Sequence, residues 1–176
     1  MKLNKIVVAF GLGMTLVSGS VLAAAGQGNG TVTFKGAIIE APCAIEPGSI
    51  DQTIDLGQIS KGSLENGGRS TARPFQIKLE NCDTATKDEV TVTFSGSESG
   101  DVPGTLGISG SASGAGIALT NGGNKPIKLG TATDAQKLVD GNNQLNFTAY
   151  LQGATGSATV VPGNFVGIAN FTLAYQ

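Results

Sequence analysis

From residue 31 to the last residue, apolar and polar side chains alternate in short runs, and this period of two most constrains what the chain can fold into. Val32 and Phe34 alternate with Thr31, Thr33 and Lys35. Phe75, Ile77 and Leu79 alternate with Gln76, Lys78 and Glu80. Val90, Val92 and Phe94 alternate with Thr91 and Thr93, and Leu145, Phe147, Ala149 and Leu151 with Asn146, Thr148 and Tyr150. The segment from Asn164 to Tyr175 sets Phe165, Gly167, Ala169, Phe171, Leu173 and Tyr175 on one face. Asn66-Gly67-Gly68, Asn121-Gly122-Gly123-Asn124 and Asp140-Gly141-Asn142-Asn143 separate the runs with residues that accept turn geometry. Short strands between such turns predict an all-β sandwich or barrel. Glycine supplies 27 of 176 residues, which argues against a helix bundle. One helical turn is expected near Ser63 to Gly67 or Asp134 to Lys137. The Gly/Ser-rich stretch from Ser95 to Gly116 reads as loops and a weak exposed strand inside one domain.

The first residues read as an address. Lys2 and Lys5 precede an apolar run from Ile6 to Val17, and a small-residue exit follows, with Val21 and Ala23 before the expected cut. This is the three-part pattern of a secretory signal peptide over residues 1–23, with cuts after Ala24 or Ala25 as alternatives. The run is short for a membrane span and is broken by Gly11, Gly13 and Thr15. Its removal takes two of the 11 basic residues and none of the 13 acidic ones, leaving a charge of −4. That balance gives nucleic-acid binding no electrostatic footing.

Cys43 and Cys82 are the two cysteines. In an oxidising compartment the default is one disulfide, which would close a loop of about forty residues. A catalytic thiol or a metal site is the alternative, and the chain has no histidine, no C-x-x-C and no third cysteine to support either. Other searches for chemistry find little. The strings nearest to G-x-S-x-G carry Glu98 and Ala112 at the nucleophile position. Gly26 to Gly30 lacks the last glycine of a dinucleotide fingerprint, and no phosphate-binding loop appears. Glu40 with Glu46, or Asp51 with Asp55, read as solvated strand ends and turns rather than a carboxylate pair. The glycosylation sequons at Asn146 and Asn170 fall inside expected strands. The reading is therefore no enzyme, no catalytic or metal residues, no cofactor and no small-molecule substrate.

The two ends are unusual. Residues 24–38 form a small, polar, Gly-rich tail leading into an alternating strand, either an ordinary first strand or one that pairs with another molecule by edge addition. At the other end the last strand runs to Tyr175, with Gln176 alone beyond it. If that strand is the sixth of a seven-stranded immunoglobulin-type sandwich, the seventh is missing, and an apolar groove with unpaired backbone is left open.

Several strings together carry a resemblance: Gly30-Thr31-Val32-Thr33-Phe34-Lys35-Gly36, Ala41-Pro42-Cys43, Leu56-Gly57-Gln58, Leu79-Glu80-Asn81-Cys82, Asp140-Gly141-Asn142, and Ala169-Asn170-Phe171-Thr172-Leu173-Ala174-Tyr175-Gln176. In this order the chain resembles chaperone–usher pilus subunits, above all major pilins of the type 1 and P-pilus class. The resemblance implies an incomplete immunoglobulin-like sandwich lacking its final strand, over residues 39–176, with an N-terminal donor-strand extension over residues 24–38. It implies a structural subunit of a surface fimbria, exported through the periplasm, polymerising head-to-tail and supporting cell adhesion. Its partners would be neighbouring copies, a periplasmic chaperone, an outer-membrane usher, and tip or adaptor subunits. The donor segment would be roughly Gln27 to Ile38, with Val32, Phe34 and Ile38 entering pockets and Gly36 sitting where a side chain does not fit. Cys43 and Cys82 would form the disulfide. Phe171, Leu173 and Tyr175 would border the groove, and the C-terminal carboxylate would meet basic chaperone residues. The alternatives are a minor or adaptor pilin of the same fibre and, from another class, a monomeric secreted immunoglobulin-like binding module.

Overall fold

The computed structural model describes residues 30–156 and 159–176. The signal peptide expected over residues 1–23 and its cut lie outside the described residues. The chain divides into two units, residues 1–38 and 39–176. In the first, residues 30–38 carry no strand or helix, and Val32 and Phe34 are 74% and 89% exposed. The alternation of Thr31 to Ile39 therefore appears without a ladder. Alternation marks which face of a strand is apolar, whereas a strand exists only when a partner takes its backbone groups.

The second unit is an incomplete immunoglobulin-like sandwich. Its elements are β1 (Ala44–Ile45), α1 (Pro47–Ile50), α2 (Lys61–Leu64), a 3-10 turn (Glu65–Gly67), β2 (Arg73–Cys82), β3 (Glu89–Ser95), β4 (Ser109–Gly110), β5 (Ala115–Asn121), β6 (Pro126–Ile127), β7 (Gln136–Lys137), β8 (Gly141–Gly153), β9 (Phe165–Val166) and β10 (Asn170–Tyr175). One sheet has the order β1-β2-β8-β5-β6, another β10-β3-β7, and β4 with β9 forms a small ribbon. All pairs are antiparallel, so one face of each sheet can be apolar while the other meets water.

The alternating runs become the core strands. Ile77, Leu79, Leu145, Phe147, Ala149 and Leu151 point inward from β2 and β8 and are buried. Val90, Val92 and Phe94 answer them from β3. Phe94 stacks edge-on against Phe147 at 5.1 Å and stands 6.1 Å from Phe75, so the rings lock the two sheets together. Gly153 ends β8 where a Cβ would lie 1.9 Å from the Leu64 carbonyl oxygen, so only glycine lets the α2 turn close over the sheet. The Cys43 and Cys82 sulfurs are bonded, 39 positions apart in sequence. The bridge fastens the stretch before β1 to the end of β2, where the Asp83 N–H also donates to the Pro42 carbonyl.

One local expectation is corrected and one element is new. A helical turn does form over Lys61–Leu64 and Glu65–Gly67, but Gln136–Lys137 is a strand paired with β3. The α1 turn at Pro47–Ile50 carries no sequence period, because four residues are too few to show one. The Gly/Ser-rich stretch is, as expected, loops with the short exposed strand β4 inside one domain, and within it Ser99, Val102, Thr105 and Leu106 are buried. There hydroxyls replace apolar bulk. Thr105 Oγ1 donates to the Val102 carbonyl at 2.6 Å, and the Val102 N–H donates to Ser99 Oγ at 3.1 Å.

Candidate functional site

The terminal strand leaves one of its edges open. Glu89 and Gln176 exchange both backbone hydrogen bonds, at 3.2 and 2.9 Å. In an antiparallel ladder such pairs recur every second residue, so Ala174, Thr172 and Asn170 also turn their backbone groups toward β3. Phe171, Leu173 and Tyr175 turn theirs the other way. The pattern on β3 agrees, since the Val92 and Phe94 carbonyls accept from Thr133 and Gly130 on its far side. Among the described residues β10 has β3 as its sole neighbour, and the N–H and C=O groups of Phe171, Leu173 and Tyr175 have no backbone partner. Their side chains are half-buried and face the core, while Thr172 and Ala174 between them are exposed.

Facing this edge is a second unpaired stretch. Residues 52–59 form no helix and no ladder, Gly57 among them has φ +76°, and among the described residues their backbone makes no backbone–backbone hydrogen bond. Side chains hold the root of the stretch instead. Gln52 Nε2 donates to the Gln76 carbonyl at 2.8 Å and the Ser49 carbonyl at 3.2 Å, and the Lys78 N–H donates to Ser49 Oγ at 3.1 Å. Ile54 and Leu56 point inward, with exposed Thr53, Asp55 and Gly57 between and beyond them.

Two hollows of about 860 and 180 Å³ lie along residues 52–56; residues 160–169 line the larger, and Phe171 of β10 lines the smaller. Buried Leu56, Ile117, Leu151 and Val160 line the larger, and Phe75, Phe94 and Phe171 line the smaller. An apolar trough beside two stretches without backbone partners along these edges has the chemistry of a sandwich interior missing one strand. It offers no set of acids, bases or nucleophiles aimed at one point, and among the described residues no group of His, Cys, Asp or Glu could hold a metal ion.

The ionisable groups elsewhere are structural. Lys137 Nζ approaches Asp88 Oδ2 closely, and the lysine holds that carboxyl below its usual range. Asp140 accepts from the hydroxyl and the backbone N–H of Thr84 at 2.6 and 2.9 Å, which also lowers its pKa. Tyr175 differs. Burial pushes its phenol above the ordinary value of 10, and its hydroxyl has no partner among the described residues. The neutral phenol is thus the form that the fold prefers. Its stabilising effect is intact below pH 10 and is lost as pH rises through the folded-state value. Alkaline unfolding followed by circular dichroism is expected to be blunted in Tyr175→Phe, and an unchanged alkaline limb would show that Tyr175 does not ionise within the fold.

Of the residues singled out in sequence, Phe171, Leu173 and Tyr175 lie half-buried on the inward face of β10, Phe171 lines the smaller hollow, and Cys43 is bonded to Cys82. Val32, Phe34 and Ile38 are exposed, and Gly36 has open space around it. Sequence reasoning missed the opposite wall at residues 52–59. The Ile54 and Leu56 alternation is its signal, too short to stand out.

A family model described as fimbrial protein matches residues 32–176. The Fimbria A protein of Serratia marcescens is 57% identical over 180 residues, covering 100% of both chains. The major MR/P fimbria protein of Proteus mirabilis strain HI4320 is 55% identical over 177 residues, again covering 100% of both. The fold is similar to the crystal structure of the P pilus rod subunit PapA, with a TM-score of 0.69 and 36% identity, covering 77% of this chain and 100% of that one. It is also similar to a chain of a chaperone–usher pilus solved in connection with rod uncoiling, with a TM-score of 0.76 and 38% identity, covering 85% and 97% of the two chains.

Proposed function

The chain belongs to the fimbrial protein family and is a non-enzymatic structural subunit of a chaperone–usher surface pilus, and we propose that its copies are joined by a lent strand. The segment from Gln27 to Ile38 of one copy lies in the trough of the next, where it pairs with the free edge of β10 and with residues 52–59. Val32, Phe34 and Ile38 enter the hollows, and Gly36 passes where a side chain does not fit. Before assembly a periplasmic chaperone lends a strand to the same trough, and at the outer-membrane usher the incoming subunit replaces it. Tip or adaptor subunits join by the same contact, and the finished fibre supports adhesion.

One observation carries this reading: β10 has a free backbone edge at Phe171, Leu173 and Tyr175, an apolar hollow opens at Phe171, and the exposed tail of the same chain alternates apolar residues. Each ladder bond adds about 1 kcal/mol net, and each large side chain buried adds roughly 1.5–3 kcal/mol. Several of each make a durable joint without ATP, provided that the chaperone-held state is less well packed than the polymer. β-strand addition between pilins is a known recognition mode. A head-to-tail contact is heterologous and does not close, so it propagates as a filament.

Fusing residues 27–38 after Gln176 is expected to give a soluble monomer that folds without chaperone and does not polymerise. Size-exclusion chromatography and thermal melting read the result. If instead the unfused mature chain is already a stable monomer, it is a self-sufficient binding module and the reading is wrong.

A further inference from the structure

The same tripeptide occurs twice in the chain with opposite surroundings. Asn66-Gly67-Gly68 closes the 3-10 turn after α2, and Asn121-Gly122-Gly123 leads out of β5 toward β6. An asparagine before glycine is prone to cyclise, because glycine has no side chain to hinder its amide nitrogen. At Asn66 that nitrogen is occupied, since the Gly67 N–H donates to the Ala154 carbonyl at 3.1 Å. At Asn121 the reverse holds. Gly122 is exposed, and among the described residues its N–H has no partner. Asn121 Oδ1 accepts from the Gly123 N–H at 3.0 Å and from the Lys125 N–H at 2.9 Å. Two backbone donors on one carbonyl oxygen stabilise negative charge that develops there.

We propose that Asn121 is a site of spontaneous modification, at which the side-chain amide becomes an acid and part of the product is isoaspartate. The Gly122 nitrogen gives up its proton to solvent and bonds to Asn121 Cγ. The carbonyl electron pair moves onto Oδ1, where the Gly123 and Lys125 N–H groups hold the charge. As the carbonyl re-forms, the bond from Cγ to Nδ2 breaks, and that nitrogen takes a proton from water and leaves as ammonia. Water then opens the cyclic imide at either carbonyl, giving aspartate or isoaspartate. Nothing is oxidised or reduced, and water is the sole co-reactant. In isoaspartate the main chain runs through the Cβ methylene, just where the Asn121 N–H donates to the Lys125 carbonyl at 3.0 Å. That contact closes the turn between β5 and β6. β6 is an edge strand, paired to β5 through Leu119 with Ile127 and Thr120 with Pro126. The modification therefore loosens this margin of the sandwich as the protein ages.

Because the two tripeptides are identical, Asn66 is the control for Asn121 within one chain. Purified fibres are held in mildly alkaline buffer, digested at acid pH and mapped by mass spectrometry. Conversion of amide to acid is expected to be at least about tenfold faster at Asn121 than at Asn66. In urea, where both turns are lost, the two rates are expected to converge. Equal rates in the fibre, or a faster Asn66, overturn the proposal, and so does a preference for Asn121 that persists unchanged in urea. Gly122→Ala separates cyclisation from direct hydrolysis of the amide. Its added methyl meets Asn146 at an ordinary contact distance of 3.4 Å, so the turn accommodates it. The variant is expected to slow conversion at Asn121 at least about tenfold and to leave Asn66 as it was. An unslowed Asn121 overturns the cyclic route.

Discussion

Deletion of residues 24–35 is expected to abolish fibre formation altogether while the truncated subunit still forms a complex with its chaperone. The two halves of the proposed contact fall in separate units of the chain, residues 1–38 and residues 39–176. Removing the tail takes Val32 and Phe34 from the donor and leaves the core rings of Phe75, Phe94 and Phe147 untouched. The lost burial of those two side chains alone is worth roughly 3–6 kcal/mol per joint, a factor of at least about a hundred in its equilibrium constant. Electron microscopy of sheared surface material reads the fibres, and co-purification reads the chaperone complex. Loss of both would mean that the tail is needed for folding rather than for joining.

Loss of the disulfide is the second large effect. Replacing Cys43 and Cys82 together by alanine is expected to lower the stability of the fused monomer by about 2–5 kcal/mol, with the chain-entropy account giving roughly 4 kcal/mol for a loop of this length. The bond also has a local task. It anchors the chain just ahead of β1 and α1, and from α1 the unpaired wall at residues 52–59 departs. Urea unfolding gives the magnitude. Hydrogen exchange at residues 52–59 is expected to rise in the variant more than exchange in β8, and a uniform rise across both would show that the bridge acts on the whole fold alone.

The sandwich was legible where strands are long and half-buried. The inward faces of β2, β3 and β8 follow from Ile77, Val92, Phe147 and their neighbours at intervals of two. The terminal segment kept its predicted face from Phe165 to Tyr175, although its ladder is interrupted at residues 167–169, where Gly167 presses against Ile117. Legibility failed where packing uses no apolar bulk. Ser99 and Thr105 are buried through backbone hydrogen bonds, so the stretch around them reads as loop by composition. It also failed for the trough. Phe171, Leu173 and Tyr175 were visible as the inward face of the last strand, but residues 52–59 form no ladder, and Ala149 stands out only beside its larger neighbours. An empty space has no sequence period; it is defined by what surrounds it in three dimensions.

The outward row on β10 has a mechanical consequence. The groups of Phe171, Leu173 and Tyr175 lie one after another along the strand axis. A strand seated against them and pulled lengthwise puts every bond under load at the same moment, in shear, so no single bond can give way first. In the proposed joint, tension along the fibre is therefore borne by all of these bonds together.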